Sequence, residues 1–161
     1  MRYRILAVLS AFVLMGGFFV VTAQQAGAQQ ELSLVATQTN FVVIPAGQAA
    51  TANPSNSYIP NTGDVIELRD TLTQGTTTVG FDNAVCTDTF NNNGLCTDVI
   101  AITGKGDIHL TALIRGVFSG VSPATFDATI DGGTFAYANA SGDMHAVDVS
   151  PTETDYTLLI N

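Results

Sequence analysis

The sequence predicts an all-β protein built as an eight-stranded antiparallel β-barrel, and three observations support this fold class. Eight segments of strand-like composition follow residue 29, with no helical period between them. Short turns rich in Gly, Asn and Asp separate most of these segments, as at Asp131-Gly132-Gly133. Several segments alternate polar and apolar residues, as in residues 107–112, which gives a sheet two unlike faces. Closure into a barrel removes exposed sheet edges, whereas a two-sheet sandwich satisfies the same pattern with open edges.

The first element along the chain is a predicted signal peptide at residues 1–28. Two arginines precede an apolar run at residues 5–21, and Ala26-Gly27-Ala28 provides the small residues that signal peptidase recognises. The run is long enough that an uncleaved membrane anchor is the alternative. Cleavage leaves residues 29–161 as a single domain of a secreted or periplasmic protein without stable membrane association.

The eight predicted strands account for most of this domain, and one long connection interrupts them. Residues 45–63 contain no charged side chain. A loop of that length in a compact domain is usually disordered or functional, and here we expect a lid over the barrel mouth. The predicted strands are Glu31 to Thr37, Asp64 to Leu72, Thr76 to Phe90, Leu95 to Thr103, Asp107 to Arg115, Ala124 to Ile130, Gly142 to Val149 and Glu153 to Ile160.

Cys86 and Cys96 lie in the near-duplicate stretches Val-Cys-Thr-Asp and Leu-Cys-Thr-Asp, on either side of an Asn-rich turn. If the turn is centred on Asn91, the two cysteines lie opposite each other, within reach of a cross-strand disulfide. An exported protein meets an oxidising compartment, which favours the disulfide over the alternative of a reactive thiol. The same register separates Asp88 from Asp98, so the repeat does not predict a carboxylate pair.

The charge balance limits the class of partner. The chain has 14 acidic and 5 basic residues, and removal of the leader leaves only Arg69, Lys105 and Arg115 as cationic side chains. Such a surface repels phosphate backbones and anionic lipid headgroups, which argues against nucleic acid as a partner. The acidic residues favour solubility in an extracytoplasmic space, and the alternative is an acidic site with a dedicated cationic partner.

Several segments, taken in order, resemble a known family. Residues 63–75 (GDVIELRDTLTQG) and 79–87 (VGFDNAVCT) resemble the second and third strands of the allene oxide cyclase barrel-like proteins. Residues 106–110 (GDIHL), 126–134 (FDATIDGGT) and 155–160 (DYTLLI) resemble their middle strand, Gly-Gly turn and closing strand. The resemblance is closest to the secreted bacterial members, and the fold group includes plant dirigent proteins and cyclases that form spirotetronate rings.

The resemblance implies an eight-stranded, calycin-like barrel whose lumen holds a small apolar molecule. The plant cyclases steer an unstable epoxide into a ring by orientation and electrostatic preorganisation, which needs few catalytic groups. Cys86 matches their pocket cysteine, and Asp70 matches a pocket asparagine that holds an ordered water. Their first-strand carboxylate has no counterpart, because residues 32–63 contain no Asp or Glu. The resemblance therefore favours a binding protein, with an isomerase or cyclase that acts by pocket shape as the alternative.

The candidate pocket contacts are Glu67, Arg69, Asp70 and Tyr156. Glu67 and Arg69 share one face of their predicted strand, whereas Asp70 shares the other face with apolar residues. Either face supplies a polar contact to an apolar pocket if it is lumenal. The alternative for Glu67 and Arg69 is an exposed ion pair of small energetic value.

No cofactor or metal is predicted. His109 and His145 are the only histidines, and two histidines without a third placed ligand make a weak zinc site. Gly104-Lys105-Gly106 is too short for a phosphate loop and fits a hairpin turn. A third functional hypothesis is a solid scaffold with no cavity whose outer surface mediates association, and the family precedent makes a homodimer or homotrimer plausible.

Overall fold

The computed structural model describes residues 29–52, 61–117 and 125–161, so the predicted signal peptide lies outside the described residues. These ranges contain nine strands, two single-turn 3-10 segments at Phe90–Asn92 and Phe135–Tyr137, and no α-helix. The strands are β1 (Gln30–Ile44), β2 (Thr51–Ala52), β3 (Val65–Gln74), β4 (Thr77–Asp88), β5 (Gly94–Ile102), β6 (Gly106–Ile114), β7 (Thr125–Gly133), β8 (Gly142–Ser150) and β9 (Glu153–Ile160).

Eight of these strands form a closed antiparallel barrel. From β3 to β9 each strand pairs with the next one in the sequence, and β1 pairs with both β3 and β9. The predicted barrel is therefore confirmed, and the sandwich alternative is wrong. Closure leaves no long free edge among the described strands, because β1 and β9 at the two ends of the sequence pair with each other.

The first strand is twice the predicted length. Its first part pairs with β9 as far as Thr37↔Glu153, and its second part pairs with β3 as far as Ile44↔Val65. The missed residues 41–44 form the run Phe-Val-Val-Ile, which has high strand propensity but no alternation. The two-residue strand β2 lies inside the predicted 45–63 connection and pairs with β1 through Val42↔Ala52.

Inward-facing side chains divide the lumen into two halves. The half near the β3–β4, β5–β6 and β7–β8 turns, here called the packed half, is filled by large aliphatic side chains that are at most 8% exposed. Tyr137 from the β7–β8 connection adds to this core, and a side chain on Gly133 would collide with it. The aliphatic side chains of the packed half are Leu32, Leu72, Ile100, Ile102, Ile108, Ile130, Leu158 and Ile160. The other half of the lumen, here called the hollow half, lies near the remaining connections.

Candidate functional site

A cavity of about 680 Å³ occupies the hollow half of the barrel. This volume lies within the range of about 300–1,000 Å³ typical of small-molecule sites. The β8–β9 turn, residues 150–152, contributes to its rim. Most of its wall is apolar, formed by Phe41, Ile66, Leu68, Ala84, Leu110, Ala112, Ile114, Val117, Phe126, Ala128, Met144 and the two cysteines.

Small inward-facing side chains create this space. On β6 the inward positions change from Ile108 in the packed half to Ala112 beside the cavity, and on β7 they change from Ile130 to Ala128. Ala84 on β4 makes a third small wall position. Because the strand spacing is fixed by backbone hydrogen bonds, a shorter side chain leaves volume that the neighbouring strands cannot close.

A disulfide forms part of the cavity wall. Cys86 on β4 and Cys96 on β5 are paired in register, and their sulfur atoms are 2.05 Å apart. Both residues are buried and line the cavity. The predicted disulfide is confirmed, and the reactive-thiol alternative is wrong, since no free cysteine occurs in the chain. A covalent link between adjacent strands strengthens the wall where the core is absent.

The polar end of the cavity is a group of buried acids with one tyrosine, here called the acidic cluster. It consists of Asp70 on β3, Asp82 on β4, Asp98 on β5 and Tyr156 on β9. Asp70, Asp98 and Tyr156 line the cavity, and Asp82 lies behind them with 1% of its surface exposed. The cluster is adjacent to the aliphatic core, because Leu72 and Ile100 follow at the next inward positions of β3 and β5.

A β-bulge in β1 lies next to the cluster. The register of β1 against β3 shifts between Gln38 and Asn40, opposite Asp70 and Arg69. The Asp70 backbone N–H donates a 3.0 Å hydrogen bond to Asp82 Oδ1. Bulges often redirect backbone and side-chain groups next to functional sites.

Within the described residues, three carboxylate oxygens of the cluster are buried without a hydrogen-bond partner. They are Asp70 Oδ1, Asp82 Oδ2 and Asp98 Oδ1. The Tyr156 hydroxyl lies close enough to Asp82 to favour the charged form of that carboxyl, but it makes no well-formed hydrogen bond to Oδ2. Buried polar groups are normally paired, and Asp70 and Asp98 line the cavity, so a ligand there can supply partners that the protein does not.

Burial raises the pKa of all four groups in the cluster. It raises the pKa of Asp70 to about 7, and the nearby charge of Asp82 adds to the effect. Burial likewise raises the pKa of Asp82, against the opposing effects of the Tyr156 hydroxyl and the Asp70 N–H. The pKa of Asp98 is raised by burial and then by Asp82, and that of Tyr156 by burial and the neighbouring acids. The cluster therefore holds protons near neutral pH, where exposed carboxyls are ionised.

The structure separates the four predicted pocket candidates into two pairs. Asp70 and Tyr156 line the cavity, whereas Glu67 and Arg69 are exposed on the outer face of β3. The guanidinium of Arg69 stacks on the outside of the barrel, 4.5 Å from the centre of the Phe81 ring. Strand alternation explains the difference, because residues 67 and 69 face opposite to residue 70. As a correction, Glu67 and Arg69 are not cavity contacts.

Asp82 and Asp98 were not among the residues predicted for the pocket. A signal for them was available, since Cys86 and Cys96 must face the same way to form the disulfide. Asp82 lies four residues before Cys86, and Asp98 lies two residues after Cys96. Even spacings place residues on one face of a strand, so both aspartates share the inward face of the cysteines.

The two histidines lie apart from this cavity. His145 on β8 contacts Asp127 on β7 through a 2.6 Å Nδ1–Oδ1 interaction, and both side chains are exposed. His109 lies on β6 next to Gly132. Among the residues that the structure describes, no group of three His, Cys, Asp or Glu side chains is arranged to hold a metal ion. A search of the same residues finds no helix of the length and hydropathy needed to cross a membrane.

Comparison with known proteins identifies the fold through structure alone. No family model matches the sequence, and no curated protein is detectably similar to it. Pyocyanin demethylase is 22% identical with a TM-score of 0.65, covering 82% of this chain and 100% of its own. Two pterocarpan synthase dirigent proteins are 18% and 14% identical, with TM-scores of 0.62 and 0.64. These two matches cover 82% and 84% of this chain, and 83% and 96% of theirs.

At these identities the similarity shows the fold, which is the eight-stranded barrel of the allene oxide cyclase and dirigent type. The resemblance found in the sequence is consistent with it. A shared barrel does not by itself specify the ligand or the chemistry. Function must therefore be argued from the cavity of this chain.

Proposed function

We propose that this protein is a secreted or periplasmic, dirigent-like barrel that binds a small, largely apolar molecule in its lumen and holds it in one conformation. The observation that carries the proposal is the 680 Å³ cavity, which has a mostly apolar wall within an otherwise well-packed barrel. Removing apolar surface from water provides about 25 cal/mol per Å², so a ligand that fits this wall gains affinity without any specific chemistry.

The structural neighbours support the handling of small molecules in a barrel of this shape. Their names state that one is a demethylase of pyocyanin and that two are pterocarpan synthases. The cavity also argues against the solid scaffold, because side chains do not fill the hollow half.

A second candidate function is an isomerase or cyclase that acts on the same ligand. The acidic cluster favours it, since carboxyls that retain protons near neutral pH can donate them to a bound substrate. Rigid strands would hold the substrate in a reactive conformation, and the cluster would stabilise developing positive charge. The first-strand carboxylate of the plant cyclases is absent here, so such a reaction would use carboxyls from β3 and β5.

The extracytoplasmic location is supported by two features. Residues 1–28 have the pattern of a signal peptide. The Cys86–Cys96 disulfide is of the kind that persists in oxidising compartments. Cell fractionation of the native host tests this location directly, and recovery of an uncleaved chain from the cytoplasm would contradict it.

Association into a homodimer or homotrimer is part of the proposal. The outer face of β4–β6 exposes Val85, Leu95, Val99 and Leu113, with exposed fractions between 38% and 56%. Leu95 and Leu113 are paired in register and form a short apolar strip, whereas Val85 pairs with Thr97 and Val99 with His109. Burying this strip between copies would remove it from water. Sedimentation velocity of the mature protein tests the association, and a monomer at micromolar concentration would contradict it.

The binding proposal is tested by native mass spectrometry of protein purified from its own host, combined with titration of the apolar dye Nile red. We expect a retained small molecule and saturable dye binding. Ala112→Leu fills cavity volume and is expected to weaken dye binding by about tenfold, or roughly 1.4 kcal/mol. Ala138→Leu, on the exposed β7–β8 connection, is the matched control and should leave binding unchanged.

Two results would contradict the binding proposal. The first is a protein that carries no small molecule and binds no dye. The second is equal dye affinity in the Ala112→Leu and Ala138→Leu variants, which would place the dye outside the cavity. Circular dichroism of each variant confirms that the barrel remains folded.

A further inference from the structure

The ionisable side chains that line the cavity all share one sign. Asp70 and Asp98 lie in the acidic cluster with Tyr156, and Asp148 and Glu153 lie near the rim. No Lys, Arg or His belongs to the described cavity lining. A bound anion would therefore face carboxyl groups from both ends of the cavity and find no cationic partner.

Once its carboxyls are ionised, the inner end of the cavity offers hydrogen-bond acceptors to a ligand. Three buried carboxylate oxygens there lack partners within the described part of the chain, and one belongs to Asp82, which is 1% exposed. The protein supplies to this group the Asp70 N–H, which donates to Asp82 Oδ1, the backbone N–H groups of Asp82 and Val99, and the nearby Tyr156 hydroxyl. A ligand group rich in donors and without acceptors fits this end of the cavity.

Resting on the proposed function, we propose that the cavity selects an organic cation: an apolar molecule with a protonated amine, its charge placed at the acidic cluster. The apolar wall formed by Leu68, Leu110 and Phe126 contacts the body of this molecule. An ammonium group carries three donors and no acceptor, so it complements the Asp70 and Asp98 carboxyls that line this end of the cavity. Charge-assisted hydrogen bonds of this kind are about twice as strong as neutral ones.

The charge of the whole domain supports this selection. With the leader removed, only three basic side chains oppose 14 acidic ones. A net negative protein raises the local concentration of cations and speeds their encounter, whereas it repels anions. Long-range attraction and local recognition therefore act in the same direction.

Cation binding is coupled to proton release. In the empty cavity, burial raises the pKa of Asp70, Asp82 and Asp98, and the charge of Asp82 adds to the effect on the other two, so Asp70 and Asp98 retain protons near neutral pH. A bound cation stabilises the ionised carboxyls, so these protons leave when it binds. The groups that face the cation are these three acids and Tyr156, with Asp148 and Glu153 near the rim. Affinity for a cation should therefore increase as the pH rises through about 7.

The test uses three probes with one apolar body and different head groups: 1-adamantanamine, 1-adamantanol and adamantane-1-carboxylate. Isothermal titration of the mature, disulfide-bonded protein measures each affinity at pH 5.5 and at pH 8. We expect the amine to bind at least about tenfold more tightly than the alcohol at pH 8 and the carboxylate to bind most weakly. The preference for the amine should shrink at pH 5.5, because the carboxyls are then protonated while the amine stays charged.

Asp70→Asn and Asp98→Asn should each reduce the preference for the amine without weakening the alcohol. Asp143→Asn is the matched control, since it removes one negative charge from an exposed position on β8. It should leave the preference unchanged, which separates recognition in the cavity from the field of the whole surface.

The outcomes distinguish this inference from the proposed function. Equal affinity for amine and alcohol at pH 8 would overturn the charge selection and leave binding of apolar molecules intact. If none of the three probes binds but Nile red still binds in the cavity, the charge selection is likewise overturned and the binding of apolar molecules stands. Failure of all three probes and of Nile red would overturn both proposals.

Discussion

The two halves of the barrel have the same backbone and opposite interiors. The same strands run through both, with the same alternation of inward and outward residues. In the packed half, fully buried aliphatic side chains such as Ile108 and Leu158 form the core, whereas in the hollow half Ala112 and Ala128 leave a cavity. Backbone pairing thus forms the barrel everywhere, but side-chain packing stabilises mainly one end. The other end is available for function.

Truncation of one leucine in each half is expected to give the largest difference in stability between the two halves. Leu158→Ala, at 0% exposure in the packed half, should lower the free energy of unfolding by about 3–5 kcal/mol. Leu68→Ala, on the half-buried cavity wall, should cost about 1 kcal/mol, because it enlarges existing space and removes fewer contacts. Urea denaturation of both variants measures the difference. Equal losses would mean that both halves support the fold to the same degree.

The reverse substitution, from a small to a large side chain, should also destabilise the packed half more than the hollow half. The difference should be smaller than for the leucine truncations. Ala36 is 1% exposed, lies outside the cavity lining and pairs with Leu72 of the packed half, so Ala36→Leu should overpack the interior and cost about 1–3 kcal/mol. In Ala112→Leu the added carbons enter the cavity, and the unfolding free energy should change by less than about 1 kcal/mol. Thermal unfolding followed by circular dichroism compares the two variants. A larger loss for Ala112→Leu would indicate that the space beside residue 112 is closed in solution.

The sequence predicts the features shared by both halves better than the feature that separates them. The eight barrel strands and the Cys86–Cys96 pair follow from alternation and turn residues, which are local signals. The extension of β1 through residues 41–44 was missed, because a continuous apolar run has no period to read.

The cavity and its acids were harder to predict because they depend on several strands at once. Ala112 and Ala128 are ordinary strand residues alone, and their effect appears only when side-chain volumes are summed around the lumen. Similarly, Asp70, Asp82 and Asp98 are 28 residues apart at most in the sequence and become neighbours only through the β3–β4 and β4–β5 registers. The choice between Asp70 and the Glu67–Arg69 face required knowing which side of β3 is lumenal.

The smallest expected effect concerns the acidic cluster, next to the packed core. The pKa of Asp70 is about 7 in the folded protein, against the ordinary aspartate value of 3.8 in the unfolded chain, so the folded state binds more protons between these values. Stability should therefore fall as the pH rises from about 4 to about 8, the reverse of the usual carboxylate behaviour. Asp70→Asn should reduce this fall by about 1 kcal/mol, a value that allows for the partial exposure of the side chain.

Urea denaturation at several pH values measures this slope, with Asp143→Asn as the control for the loss of one exposed charge. The control should keep the wild-type slope, because Asp143 lies on the outer face of β8 in contact with water. A wild-type protein whose stability rises with pH over the same interval would show that water or ions reach the cluster freely. The boundary between the two halves would then be solvated, and the hollow half would extend down to the aliphatic layer of Leu72 and Ile100.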